Sequence, residues 1–399
     1  MTENPNLFTQ LEQITRQFLQ IEDITFGSSK DGYIVRYRGK LYREETEQAY
    51  DELAARLKPL NITPLFRWDG DKHAVILVEG RPEPKPSNPI INLVLFILTL
   101  ISVLLTGALY GLDSMPEGNL LQIILTFIQR GLPFAISLLA ILGVHEFGHY
   151  LMGRKHGVHV TLPYFIPMPF SPFGTMGAFI NMKEVPRNRR VLLDIGIAGP
   201  LAGLAVAIPV MWLGLHQSQL NALPLATQPG GTLSLEGNSI LYLLMKYLAF
   251  GQLLPAPTDY GNLSPLLYWI RYFFTGRPLP LGGMDVLLGP VAWAGWAGLL
   301  VTGMNLIPAG QLDGGHIFYT LFGHKAANRF MYVIVGALVL MGFAWNGWWL
   351  WAALIFLMGR AHAEPLDQIT TLDTRRKVVA GIGLLVFMLT FVPVPLFLF

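Results

Sequence analysis

Residues 86–112 read PSNPIINLVLFILTLISVLLTGALYGL, 27 positions without a charged side chain. A helix needs about 20 apolar residues to cross the hydrocarbon layer of a bilayer, so this stretch puts the chain in a membrane. Charge is uneven on its two sides. Of the 28 basic and 26 acidic residues, 12 and 14 fall within residues 1–88, which leaves 28 charges for the remaining 311 residues. Soluble domains carry about a quarter charged residues, against 14% here. The fold class that follows is a polytopic α-helical membrane protein with a small N-terminal α+β soluble domain. A net charge of +2 gives no reason to expect nucleic acid, and the absence of cysteine excludes disulfides, thiolate metal sites and a cysteine nucleophile.

Further apolar runs follow at 131–153, 195–215, 286–312, 330–359 and 378–399. The 30-residue run 330–359 has Asn346-Gly347 at its middle and is expected to fold as two short spans. About seven spans result. Two more are possible at 239–276, where Lys246 and Arg271 interrupt the apolar pattern and leave a re-entrant pair open as well. The expected organisation is a soluble domain over 1–80, a Pro-rich linker over 81–89 and a membrane domain over 90–399. In the first of these, Gly32–Tyr37, Asn61–Phe66 and Ala74–Val78 read as strands, Glu44–Leu57 as a helix and Asp69-Gly70 as a hairpin turn. Neither a signal peptide nor an organelle transit peptide is visible at the N-terminus, which points to a bacterial plasma membrane.

Loop charge orients the spans. Arg154, Lys155, Lys183, Arg187, Arg189 and Arg190 follow the second span, whereas only Arg130 is basic between the first two. The former loop is expected in the cytoplasm, and with it the N-terminal domain.

The chemistry lies at His145-Glu146-Phe147-Gly148-His149. Residues four apart share a helix face, so both imidazoles can reach one ion, with Glu146 beside them as a general base. A carboxylate at mid-bilayer costs about 2.5–3.5 kcal/mol and is rarely found there without a partner. Catalytic zinc takes three protein ligands and keeps one position open. In Asn305–His316, NLIPAGQLDGGH, Pro308 and the glycines break a helix at membrane depth, and Asp313 emerges from the break. For Asp313 to reach the histidines, residues 216–285 must cross the membrane an even number of times, zero or two.

Four motifs occur in order: HEFGH (145–149), GTMGAFI (174–180), AGPLAGL (198–204) and NLIPAGQLDGGH (305–316). Together they resemble the site-2 protease family of intramembrane zinc metalloproteases (peptidase family M50), in the group shared by cyanobacteria and plastids. The resemblance covers roughly residues 130–330. It implies one zinc ion per chain on His145, His149 and Asp313, Glu146 as catalytic base, and cleavage of transmembrane protein substrates within the bilayer. It also implies that 174–180 is a hairpin whose edge receives extended substrate, which marks Gly174, Thr175 and Gly177 as substrate-binding candidates. Asn305 is a further one, as an orienting group or an oxyanion donor, the alternative being that it satisfies the carbonyls freed by Pro308. Gly199-Pro200 and Gly203 are expected to permit close helix packing. No PDZ domain is recognised. The competing classes are a metal transporter, which would spread its ligands along a path, and a catalytically silent scaffold, which would have lost the Glu or a ligand.

Overall fold

The computed structural model describes residues 5–28, 31–80, 86–112, 114–226, 234–359 and 364–398. Residues 81–85 of the expected linker lie outside them. The first unit comprises α1 (Pro5–Arg16), β1 (Leu19–Phe26), β2 (Val35–Leu41), α2 (Thr46–Leu57), β3 (Ile62–Asp69) and β4 (Lys72–Glu79). Its antiparallel sheet has the order β1-β2-β4-β3. Gly70, with φ +68°, makes the tight turn between β3 and β4, a conformation that costs glycine little. Leu11, Leu53, Leu57, Phe66 and Leu77 close the core, and Ile369 joins them from the far end of the chain.

The chain then runs through α3 (Pro89–Tyr110), α4 (Leu120–Lys155), the hairpin β5 (Tyr164–Pro167) and β6 (Thr175–Phe179), and α5 (Arg189–His216). Among the described residues, α3, α4 and α5 are the helices long and apolar enough to cross a membrane. At 36 residues, α4 is about 54 Å long. It begins eleven residues before the expected Gly131 because Asn119 and Gln122 form a reciprocal capping box. Arg130 therefore sits inside a helix and not in a loop.

Buried Asn92, Thr99, Ser102 and Thr106 make a polar stripe down α3. Asn92 Nδ2 donates to the carbonyls of Leu162 and Pro163 at 2.8 and 3.0 Å, and Ser102 Oγ donates to Gly174 O at 2.6 Å. The proline-rich segment 162–173 has few internal bonds to offer, so α3 anchors it. Asn92→Leu strands both carbonyls and is expected to cost about 1–3 kcal/mol, read as a lower thermal midpoint in detergent. An unchanged midpoint would show that the anchor is not needed.

Residues 217–289 hold β7 (Gln219–Ala222), β8 (Ser234–Glu236), α6 (Ile240–Phe250), α7 (Pro265–Thr275) and β9 (Met284–Leu287). The two helices have 11 residues each, about 16 Å. β7 pairs antiparallel with β9 over four residues. The described ends of the segment therefore meet, as an even number of crossings requires.

α8 (Pro290–Asn305) is followed by the non-helical stretch 306–312 and by α9 (Asp313–Phe322), so the chain breaks where Pro308 and Gly310 (φ +63°) stand. α10 (His324–Met341) and α11 (Gly347–Met358) divide the run 330–359 beside Asn346, as expected. Within that run Trp348 is fully buried and donates to Pro393 O at 2.5 Å. The last expected span also differs. α12 (Thr374–Thr390) starts earlier and stops at Thr390, because Pro393 and Pro395 cannot continue a helix. The tail then forms β10 (Leu396–Leu398), paired with β8.

Candidate metal centre

His145, Glu146 and His149 lie 6–10 residues before the end of α4 and are all buried. Asp313 is the first residue of α9, where a helix N-terminus favours negative charge. The three facing atoms form a near-equilateral triangle. His145 Nε2 and His149 Nε2 are 3.2 Å apart, and Asp313 Oδ2 is 3.4 and 3.3 Å from them. Ligand atoms about 2.0–2.1 Å from a tetrahedral ion stand about 3.3 Å from one another, so the triangle matches three corners and leaves the fourth open. His, His and Asp make a donor set that zinc accepts.

Proton placement agrees with ligation. His149 Nδ1 is 2.7 Å from Ile195 O. A carbonyl only accepts, so Nδ1 carries the hydrogen and the Nε2 lone pair faces the triangle. Glu146 stands beside the ligands, with its Oε1 3.9 Å from His145 Nε2. The Ile180 backbone N–H donates to its carboxylate. Asn305 Nδ2 lies 3.3 Å from His145 Nε2.

Helix α5 supports the site from behind. A methyl group on Gly199 would overlap the His149 imidazole, and one on Gly203 would come within 3.0 Å of His145 Cβ. Both glycines therefore permit close packing, and what they pack against is the two histidines. Gly314 and Gly315 do the same for the break: a Cβ on either would run into the carbonyl of Leu306 or Gly310.

A cavity of about 440 Å³ opens onto the triangle. His145, Glu146, His149, Asp313, Asn305 and His316 line it, with the continuous stretch 178–186. Gly174, Thr175 and Gly177 belong to the hairpin but not to this lining. Gly174 is pressed against Ser102 and Val103 of α3, and Thr175 Oγ1 donates within the hairpin to Ile166 O at 2.8 Å. The edge that faces the cavity lies further on, at Ala178–Met182.

Sequence reasoning missed Ile195 and Ile180, which act through backbone atoms and leave no side-chain signature. His156 pairs with Asp194 at 3.0 Å, and Arg376 joins the same carboxylate.

The model of peptidase family M50 matches residues 133–344, more than half of the chain and all four site residues. The chain belongs to peptidase family M50. Curated relatives of the chain include plant proteins. This M50 chain is 26% identical over 387 residues to the probable zinc metalloprotease EGY2, chloroplastic, of Oryza sativa subsp. indica, an alignment covering 94% of this chain and 64% of the relative. It is 30% identical over 332 residues to the probable zinc metalloprotease EGY1, chloroplastic, of Arabidopsis thaliana, covering 78% and 55%. This M50 chain thus spans less than two thirds of the length of these relatives. No solved structure gives a significant match to it.

Proposed function

We propose that the protein is a zinc-dependent intramembrane endopeptidase that hydrolyses peptide bonds in or near transmembrane segments of other proteins. The observation that carries this is the triangle of His145, His149 and Asp313, with sides of 3.2–3.4 Å, and a glutamate beside it. His145, His149 and Asp313 would hold one zinc ion, which when bound would supply Lewis acidity toward a carbonyl and a water. Glu146, oriented by the Ile180 N–H, takes a proton from the attacking water and passes it to the leaving amine. Asn305 donates toward the oxygen that gains charge. The cavity edge at 178–182 offers main-chain groups to an unwound substrate backbone, whose own groups need partners once a helix has opened. Gly174, Thr175 and Gly177 then serve the substrate by holding that edge in shape.

The proposed topology has seven spans: α3, α4, α5, the broken pair α8–α9, α10, α11 and α12. Two contacts support an odd count. Leu366 and Ile369, between α11 and α12, pack with the first unit. β10, after α12, pairs with β8 on the opposite side of the proposed membrane. The basic residues after α4 favour a cytoplasmic first unit, in a bacterial plasma membrane. The transporter alternative is not favoured, because the ligands converge on one point with a carboxylate beside them.

Metal removal is the direct test. Detergent-purified protein is expected to cut a tagged single-span substrate, to stop when zinc is chelated, and to resume when zinc returns. Asp313→Ala is expected to lose roughly tenfold or more in zinc affinity and to stay inactive. Undiminished cleavage by metal-free protein would overturn the proposal.

A further inference from the structure

The stretch 178–186 that lines the cavity runs directly into Arg187, and from there the first unit holds it. Phe66 N in β3 donates to Leu366 O at 3.0 Å, and Gln368 N returns to Phe66 O at 3.1 Å. On the other side of the same strand-like piece, Leu366 N donates to Pro186 O at 3.1 Å and Asp367 N to Arg187 O at 2.8 Å. Phe66 and Asn188 are both bridged in parallel to Asp367. The sheet β1-β2-β4-β3 thus continues, through 366–368, to the rim of the cavity.

Side chains add a second hold at the same place. Glu47 and Asp51, one turn apart on α2, face Arg187 and Arg190. Arg187 reaches both oxygens of Asp51 at 3.0 and 2.8 Å and Glu47 Oε1 at 2.8 Å. Arg190 reaches Glu47 Oε2 at 2.6 Å, and Asn188 Nδ2 donates to Glu47 Oε1 at 2.9 Å. Burial works against the Glu47 charge, yet Asn188, Arg190 and Arg187 outweigh it and hold the carboxyl below its usual range.

The position of this grip matters. Seven residues before Arg187 is Ile180, whose N–H holds Glu146. Eight residues after it is Ile195, whose carbonyl holds His149. Between them Asn188 caps α5, accepting from Val191 N at 3.0 Å. Isolated surface ion pairs contribute little. A bidentate network on a segment already tied by backbone bonds instead fixes the mouth of the cavity.

We propose that residues 5–80 act as a clamp on the cavity rim, with Glu47 and Asp51 as positioning residues that hold 181–188 where an extended substrate must enter. The site it serves is the one assigned under the proposed function, and the clamp rests on that assignment. Loosening the grip should therefore affect capture of substrate more than the chemical step.

The test compares full-length wild type with Glu47→Gln/Asp51→Asn, and separately with Arg187→Gln, which removes the Asp51 pair and one of the Glu47 pairs from the other side and leaves Arg190 on Glu47. Amide exchange across 181–190 is expected to quicken about tenfold in each. Arg187→Gln added to the α2 pair should bring little further change, because both act on one network. Zinc content should stay at wild-type level, and KM for a single-span substrate should rise about tenfold with kcat within about twofold. If the α2 variant also loses protection in β3 and β4, Arg187→Gln decides. Wild-type exchange at 181–190 with β3 and β4 intact would overturn the clamp. So would a loss confined to kcat. The exchange measurement needs no cleavage, so failure of the protease assignment and failure of the clamp give different results.

Discussion

Glu146→Gln is expected to lower cleavage of a single-span substrate by roughly 10²–10⁴-fold while zinc content stays that of wild type. The amide is isosteric and still accepts from the Ile180 N–H that holds the carboxylate, so the side chain should keep its place. What it loses is the ability to take a proton from water. Glu146 is not part of the three-atom ligand group, which is why the metal should be indifferent to the change. Full activity in this variant would remove Glu146 as the base. Loss of zinc together with activity would make it a ligand, or a prop for one.

The second large effect is expected at a residue with no chemistry of its own. Gly199→Ala places a methyl group where the His149 ring lies. The helices cannot easily part to relieve this, because Gly148 of α4 already sits close to α5, with a Cβ there only 2.7 Å from Ala198 O. His149 must swing away, its bond to Ile195 O is lost, and one corner of the triangle goes with it. A fall in zinc affinity of roughly 100-fold is expected, measured by competition with a chromogenic chelator. Gly336→Ala in α10 is the control. Its Cβ would meet open space, so zinc should be unaffected and helix propensity should add roughly 0.5–1 kcal/mol. Equal zinc affinity in both variants would mean that α5 does not set the position of His149.

The candidate site was legible because its signals are local or survive breaks in the chain. His145 and His149 share a helix face by spacing alone, and Pro308 with Gly310 marks the break that delivers Asp313. Their meeting could be argued from crossing parity, which the pairing of β7 with β9 fits. Other parts were not legible for physical reasons. The start of α4 is set by a polar capping box, so charge-free length misplaced it. β1 went unread because LQIEDITF mixes polar and apolar residues without a clean period, whereas α1 carries Leu7, Leu11 and Ile14 at helical spacing, a signal that was present in the sequence and not used. Gly174, Thr175 and Gly177 sit away from the cavity because a bulge between Ile166 and Pro167 shifts the register and α3 covers Gly174. The contacts of Glu47 with Arg187 and Arg190 join residues about 140 apart, and no window along the chain reveals such a pair.

The ribbon of β7 and β9 has an evolutionary consequence. Its four paired residues close a socket between the end of α5 and the start of α8. Within it, residues 257–283 depart and come back at the antiparallel bridge of Ala256 with Met284 and contribute nothing to the core that α6 shares with α4, α5 and α8, so their length and fold have no direct bearing on the relative placement of α4 and α9. Lineages could enlarge, trim or replace this insert while the histidines and the aspartate keep their distances. The metal centre and the far face of the protein are thereby free to diverge at different rates.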